Sequence, residues 1–116
     1  MALLYHITPR SQWAQAQETG VYQAESLATE GFIHCSTISQ VIRVANLFYQ
    51  GQTDLVLLCI APAKVQAPLR YDPIDTGEAF PHIYGPLNLD AVVQVLDFDA
   101  TSDGTFTLPS ALSSES

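Results

Sequence analysis

The stretch DLVLLCIA, residues 54–61, begins at one aspartate and then runs without a polar residue to Pro62. An apolar run of this length predicts a central β-strand that is covered on both faces. The segments on either side of it alternate between strand-like and helix-like patterns. Together they predict a small α+β domain in which two main helices pack on a split, mostly antiparallel sheet.

Two segments before the central strand predict the helices. Residues 9–19 follow Thr8, which can cap a helix, and precede Gly20, which suits the left-handed residue that ends one. Residues 37–51 begin with a threonine that has a glutamine three residues later, the pattern of a capping box. In that second segment the apolar residues recur at helical spacing: Ile38, Val41, Ile42, Ala45 and Phe48.

Further strands are predicted around these helices. Residues 3–7 and 31–36 are rich in β-branched and aromatic residues, which suit a half-buried pleated surface, and we expect these two strands to pair as neighbours. Residues 89–98 have the same character and predict the last strand. Residues 62–87 contain five prolines, so they predict short edge strands and ordered turns. Residues 26–30 predict a connecting loop.

The chain has 116 residues, of which 47% are hydrophobic and 14% are charged. This length and apolar content predict one compact domain, which we place at residues 1–100. The remaining segment, TSDGTFTLPSALSSES at residues 101–116, has few large apolar side chains. It predicts a disordered tail, and its deletion from Ser102 onward is expected to leave the melting temperature nearly unchanged.

The charge balance excludes several classes of partner. Four Lys and Arg against twelve Asp and Glu give a net charge of −8, which repels phosphate backbones and anionic lipids over most of the surface. We therefore expect neither non-specific nucleic-acid binding nor membrane binding. No run reaches the roughly 18 to 20 apolar residues of a membrane helix, and the start of the chain lacks the pattern of a secretion signal. A soluble, cytoplasmic protein is expected, and protein partners are not indicated.

The positions of the two cysteines do not indicate a metal-binding or redox motif. Cys35 and Cys59 lack CxxC spacing, and both lie inside apolar, strand-like runs. A thiol in such a run behaves as a small buried hydrophobe. Free thiols are therefore expected, because a reducing compartment disfavours the alternative of a disulfide.

Three histidines stand out in a chain with so few charges. His6, His34 and His82 each lie next to aromatic or apolar strand residues. Taken singly, each is explained as a hydrogen-bonded, half-buried polar group. Three such placements in one small domain predict that the rings open onto a shared pocket that binds one small ligand.

Three kinds of chemistry fit such a pocket. A metal is one, since histidine is a common ligand, but the spacing of the histidines does not favour it and we expect none. A Ser-His-Asp set that uses Ser36 lacks the GxSxG elbow, and Ser36 also suits the start of a helix. The third kind uses neutral imidazoles and hydroxyls as donors to a sugar or phosphate, with Arg70 as a charged clamp.

The proline-rich segment supplies the charged candidates. Arg10 and Arg43 fall on predicted helices, where solvated roles are expected, whereas Arg70 lies in residues 62–87. Its structural alternative is an exposed charge on an edge strand. Glu78 and Tyr84 lie in the same segment, where glycine and proline can hold a side chain rigidly. A turn that only closes the sheet is the alternative interpretation.

Three motifs carry a family resemblance: YHIT at residues 5–8, EGFIHCST at 30–37 and FPHIYGPL at 80–87. Together they resemble the bacterial family catalogued as domain of unknown function 952, over about residues 3–98. The resemblance implies a fold similar to the ADP-ribosyltransferases, with a split antiparallel sheet around an NAD-binding cleft. It also implies that His6 contacts the ribose beside the nicotinamide and that His34 contacts the ADP-ribose or phosphate.

The departures from those enzymes limit what carries over. Ile7 stands where they usually have glycine, and no segment reproduces the strand that presents their catalytic glutamate. Glu78 is therefore a candidate only as an electrostatic partner for an oxocarbenium-like centre.

The sequence thus predicts a cleft for NAD, an ADP-ribose-like molecule or a phosphorylated nucleotide. NAD would be a substrate, and no metal is expected. If the protein is an ADP-ribosyl transferase, His6 and Glu78 are the predicted catalytic residues. The alternatives are a non-catalytic ligand-binding or regulatory module and a metal-dependent hydrolase. The predicted ligand contacts are His6, Thr8, His34, Ser36, Arg70, His82 and Tyr84.

Overall fold

The structure, a computed structural model, describes residues 2–113 as eight strands, four α-helices and two short 3-10 turns. In chain order the strands and α-helices are β1 (Leu4–Pro9), α1 (Arg10–Thr19), β2 (Val21–Tyr22), α2 (Glu25–Thr29), β3 (Ile33–His34), α3 (Val41–Phe48), β4 (Leu55–Ile60), β5 (Leu69–Pro73), β6 (Ala79–Ile83), β7 (Leu87–Asn88), β8 (Val92–Asp97) and α4 (Ser110–Ser113). The 3-10 turns are Pro62–Lys64 and Leu89–Ala91.

The strands form three separate antiparallel sheets. Their orders are β1-β4-β8, β2-β7 and β3-β6-β5, and every pair of neighbours runs antiparallel. The predicted α+β class with antiparallel, divided sheets is therefore confirmed. The two longest helices are α1 and α3, which match the two that were predicted, and α2 and α4 add one short turn each.

The central strand is β4, as the apolar run predicted. All six of its residues are buried, and it pairs with β1 on one side and β8 on the other. Alternate residues point to opposite faces of a strand. Val56, Leu58 and Ile60 accordingly pack in one core cluster, and the other three residues pack in a second cluster. Two cores, one on each face, explain why this segment has no polar residue.

The same alternation orients the polar residues of β1. Tyr5 and Ile7 pack in the second core cluster, beside Val41 and Ala45 of α3. Their neighbours in the strand, His6 and Thr8, therefore point the other way. Both of these polar side chains are buried.

The backbones of the two larger sheets are hydrogen-bonded to each other at one pair of residues. The Tyr5 N–H donates to the Ser36 carbonyl, and the Ser36 N–H donates to the Tyr5 carbonyl, each at 2.8 Å. The predicted pairing of residues 3–7 with residues 31–36 is thus limited to this bridge. The long partner of β1 is β4, and β3 pairs with β6.

Two helical segments differ from the prediction. Residues 25–29 form α2 where a loop was expected, and the chain leaves this helix through Gly31, whose φ of 91° is the left-handed conformation that glycine tolerates. The second predicted helix begins at Val41 and not at Thr37. The predicted capping box survives in part, because the Thr37 N–H donates to the Gln40 side-chain oxygen at 3.0 Å.

Residues 101–113, which the composition predicted to belong to a disordered tail, pack on the domain in this structure. Phe106 is 2% exposed and stacks on Phe98, with ring centroids 4.9 Å apart, and Leu112 is fully buried. The Phe106 N–H donates to the Asn46 side-chain oxygen at 2.7 Å. The segment has few apolar groups, but these groups complete the second core cluster. The rest of the predicted tail, residues 114–116, lies outside the described residues.

No helix between residues 2 and 113 combines the length and apolarity that a membrane crossing needs.

Candidate functional site

A cleft of about 1160 Å³ is lined by residues of β1, α2, β3, α3 and β6 and of the segments on either side of β3. It brings the three histidines into one site, as was predicted from their sequence context. Three further predicted site residues line the same cleft: Thr8, Ser36 and Glu78. The ligand contacts assigned to these residues remain predictions.

The other two predicted site residues lie beside the cleft. Arg70 and Tyr84 are not among the residues of the described chain that line it. The Arg70 guanidinium carbon lies 5.5 Å from the centroid of the Tyr84 ring, so the two side chains contact each other. The clamp role of Arg70 stays a prediction, and Arg43 is a cation that does line the cleft.

His6 is a neutral imidazole with both ring nitrogens engaged. Its Nδ1 lies 2.5 Å from the His34 carbonyl oxygen and its Nε2 lies 2.7 Å from the Tyr22 hydroxyl. Burial lowers the pKa of His6 to about 4, so the ring carries one proton at neutral pH. A carbonyl only accepts, so that proton is on Nδ1 and Nε2 accepts from Tyr22.

The polar contacts of His6 continue through two buried hydroxyls to the exposed Gln12. The Tyr22 hydroxyl lies 2.9 Å from Thr8 Oγ1, which lies 3.3 Å from the side-chain oxygen of Gln12. Burial also raises the pKa of Tyr22 to about 12, so its hydroxyl stays protonated. Because His6 has partners on both nitrogens, its direct effect is to fix Tyr22 and the His34 backbone at the floor of the cleft.

His82 is oriented by a carboxylate that the sequence analysis missed. Its Nδ1 lies 2.8 Å from Asp72 Oδ2, and the Tyr84 hydroxyl donates to the same oxygen. These hydrogen bonds, from Tyr84 first and from His82 second, lower the pKa of Asp72. Asp72 is therefore ionised, and it holds His82 with Nδ1 as the donor.

Aromatic rings surround His82 on its cleft side. Phe32 stacks on it with centroids 4.0 Å apart and an angle of 20° between the planes. His34 meets both rings edge-on, at 4.8 Å from Phe32 and 5.3 Å from His82. The Nε2 atom of His34 lies 3.1 Å from Glu30 Oε2. The cleft thus contains two imidazoles that each contact a carboxylate through one nitrogen.

Glu78 is held by two side chains of the α3 region. It forms an ion pair with Arg43 and accepts a 3.0 Å hydrogen bond from Gln40 Nε2. Gln40 is in turn fixed by a 2.9 Å hydrogen bond to the Ala79 carbonyl. The Arg43 contact is the main reason that the pKa of Glu78 is lowered, so this carboxylate is ionised at the cleft.

The family comparison agrees with the motifs around these residues. Residues 7–95 match the family described as Protein of unknown function (DUF952). The chain belongs to the DUF952 family. No protein with a curated description matches it.

Solved structures similar to this DUF952 chain come from Caulobacter crescentus. The crystal structure of protein CC0527 is 31% identical, with a TM-score of 0.87 over 96% of this chain and 98% of that chain. A crystal structure of a double mutant of CC0527 gives the same values. The solution NMR structure of CC0527 is 30% identical, with a TM-score of 0.80 over 98% of this chain and 96% of that chain.

The DUF952 cleft offers no reactive thiol among the described residues. Cys35 lines it but is buried, and burial raises its pKa to about 12, so the thiol stays protonated. Cys35 and Cys59 form no disulfide with each other, and both are buried, as their apolar runs predicted. Within the described part of the chain, no three or more His, Cys, Asp or Glu side chains form a group that could hold a metal ion.

Two charged residues of the DUF952 site escaped the sequence analysis for identifiable reasons. Arg43 was assigned to a solvated helix face, because the sequence does not show that α3 borders a cleft. Asp72 lies two residues after Arg70, so the period of two in a strand places both on one face. That spacing was the available signal, but the partner strand of β5 had to be known before His82 could be matched to it.

Proposed function

We propose that the DUF952 cleft binds a nucleotide-like small molecule, namely NAD, an ADP-ribose-like molecule or a phosphorylated nucleotide. The observation that carries this proposal is that His6, His34 and His82 line one cleft together with the hydroxyls of Thr8 and Ser36. A concave site with apolar walls and a few converging polar groups is typical of small-molecule binding. The divided antiparallel sheet around the cleft also supports the implied likeness to ADP-ribosyltransferases.

The charges and rings of the cleft suit such a ligand. With a net charge of −8, attraction for a phosphate has to come from a local cation, and Arg43 lines the cleft. Phe32 is half-buried and also lines it, so its ring can pack against a base or a nicotinamide. His34 has a half-exposed side chain. Its Nε2 donates to Glu30, so its Nδ1 can accept a hydrogen bond from a ribose hydroxyl.

The first test is binding of ADP-ribose, NAD and AMP by isothermal titration calorimetry. Replacing Arg43 by Met removes the cation that lines the cleft, and we expect the dissociation constant for ADP-ribose to rise about tenfold, as for loss of one charge-assisted hydrogen bond. We expect a similar loss for His34→Ala. Both side chains are about half exposed, so the fold should be retained.

Arg10→Met is the matched control for Arg43→Met. It removes the same charge from a half-exposed side chain that is ion-paired with Asp54 and Asp97 and lies outside the cleft lining. Its affinity for ADP-ribose should equal that of the parent protein. If none of the three nucleotides binds at millimolar concentration, the proposed function is wrong, and stoichiometric zinc binding that His34→Ala abolishes would favour the metal alternative.

Transfer of ADP-ribose is a second candidate, favoured by the ionised Glu78 carboxylate at the cleft. A fixed negative charge can stabilise the cationic ribose as nicotinamide leaves. If the protein is a transferase, it should release nicotinamide from NAD, and Glu78→Gln should reduce the rate by about a hundredfold or more. The measurement is chromatographic detection of free nicotinamide. Binding of NAD without any release supports the non-catalytic module instead.

A cytoplasmic location belongs to the same proposal. It is supported by the two cysteines that form no disulfide, because reducing compartments keep cysteines as thiols.

A further inference from the structure

One end of the cleft is apolar and open to solvent. Val44, Leu47 and Phe48 lie on one face of α3, at the i, i+3, i+4 spacing that aligns side chains on a helix, and all three line the cleft. Leu47 is 68% exposed and Phe48 is 71% exposed. The core contacts of α3 come from other residues: Val41, Ala45 and the partly buried Ile42. The helix therefore carries a second apolar face that serves no core.

The opposite wall of this end is apolar as well. Ile74, which is 46% exposed, and the half-buried Phe80 line the same cleft. We call Val44, Leu47, Phe48, Ile74 and Phe80 the apolar lip. The ion pair of Arg43 and Glu78 lies on the same two segments as the apolar lip. Arg43 comes one helical turn before Leu47, and Glu78 comes between Ile74 and Phe80 in the sequence.

The size of the cleft also bears on its occupant. Its volume is about 1160 Å³, whereas clefts for drug-sized ligands usually hold roughly 300 to 1,000 Å³. The apolar lip offers a nucleotide no hydrogen-bonding side chain, because all five of its residues are apolar. Large exposed apolar side chains that gather on a concave surface mark a binding site. A ligand that covers both parts must be polar at one end and apolar at the other.

We propose that the ligand is an amphipathic nucleotide: a nucleotide-like head that carries an alkyl or acyl chain. The head contacts the histidine end and Arg43, and the chain lies between α3 and Ile74 against the apolar lip. This inference rests on the proposed function for the head and adds the chemical class of the tail. The side chains of the apolar lip line two walls of a cleft and do not form a flat patch. A flexible alkyl or acyl chain can therefore lie between them.

The test is a homologous series of AMP phosphodiesters with methyl, butyl and octyl groups, measured by isothermal titration calorimetry. We expect the octyl ester to bind at least tenfold more tightly than the methyl ester, since each buried methylene adds affinity. The double variant Leu47→Ser, Phe48→Ser should lose this gain and keep the affinity for the methyl ester. Both side chains are exposed, so the variant should keep the parent melting temperature.

The matched control is Val93→Ser, Val95→Ser, which removes two exposed apolar side chains of β8 outside the cleft lining. It should bind the octyl ester as the parent does. Equal affinities for the methyl and octyl esters overturn the inference and leave the nucleotide proposal standing. Binding of octyl phosphate but of no AMP ester overturns the nucleotide proposal and supports the apolar site. Sedimentation velocity tests a last outcome. If the parent protein is a dimer and the Leu47→Ser, Phe48→Ser variant is a monomer, the lip is an interface between copies and the inference is wrong.

Discussion

Deletion of residues 102–116 is expected to lower the free energy of unfolding by about 5 kcal/mol or more and the melting temperature by roughly 20 °C or more. The physical reason is the loss of two core side chains. Phe106 and Leu112 are 2% and 0% exposed and pack in the second core cluster. Their removal exposes Phe98, which stacks on Phe106. Thermal and urea unfolding followed by circular dichroism measure both quantities.

Single substitutions separate packing from chain length in this experiment. Phe106→Ala should cost about 3 to 5 kcal/mol, the usual range for removal of a buried phenylalanine. Thr107→Ala, at the exposed neighbouring position, should leave the stability within about 0.5 kcal/mol of the parent. A truncated chain that melts at nearly the same temperature as the full chain would restore the disordered tail that the composition suggests.

Acidification is expected to destabilise the protein through His6. Burial holds the pKa of this imidazole at about 4, against an ordinary value of 6.5. Between those two pH values the unfolded chain binds the proton and the folded chain does not, so stability falls as the pH falls. This stabilising contribution of His6 is fully present above pH 6.5 and is lost by about pH 4. The difference between the two pKa values corresponds to about 3 kcal/mol in the free energy of unfolding. Urea unfolding at a series of pH values measures it.

His6→Gln is the variant that tests this assignment. Glutamine can still hydrogen-bond but does not titrate, so the pH dependence between pH 6.5 and about pH 5 should flatten even if the variant is less stable at neutral pH. Asp72 and Glu78 have pKa values lowered from 3.8 and 4.5. Protonation of these two carboxylates therefore destabilises the fold only at lower pH. If His6→Gln keeps the full slope of the parent, His6 is not the group responsible.

Periodicity alone predicted the parts of this fold that depend on local sequence. The run at residues 54–61 predicted β4 because a strand buried on both faces has no polar position. Period-two alternation explains why His6 and Thr8 leave the second core cluster while Tyr5 and Ile7 stay in it. The clustering of His6, His34 and His82 was also predictable, since polar rings in apolar strands need partners.

Long-range pairing limited the rest of the prediction. Asp72 contacts His82 because β5 and β6 pair in a register that puts Arg70 opposite His82, and no local pattern gives that register. Phe106 stacks on Phe98, eight residues earlier, and its N–H donates to Asn46 of α3. Its burial therefore depends on where β8 and α3 lie in the fold. Arg43 belongs to the cleft only because Glu78 lies opposite α3. Each of these residues had an ordinary surface explanation in the sequence.

The bridge between Tyr5 and Ser36 has a mechanical consequence for the cleft. It is the backbone pairing that joins the sheet of β1 to the sheet of β6 in the described residues. The core cluster that contains Val56 and Leu58 of one sheet also contains Ile33 and Ile83 of the other. The His6 contact with the His34 carbonyl lies beside the bridge, so a side chain adds a further tie between the two sheets. The cleft walls that β1 and β6 provide are therefore held together by contacts that a ligand need not touch.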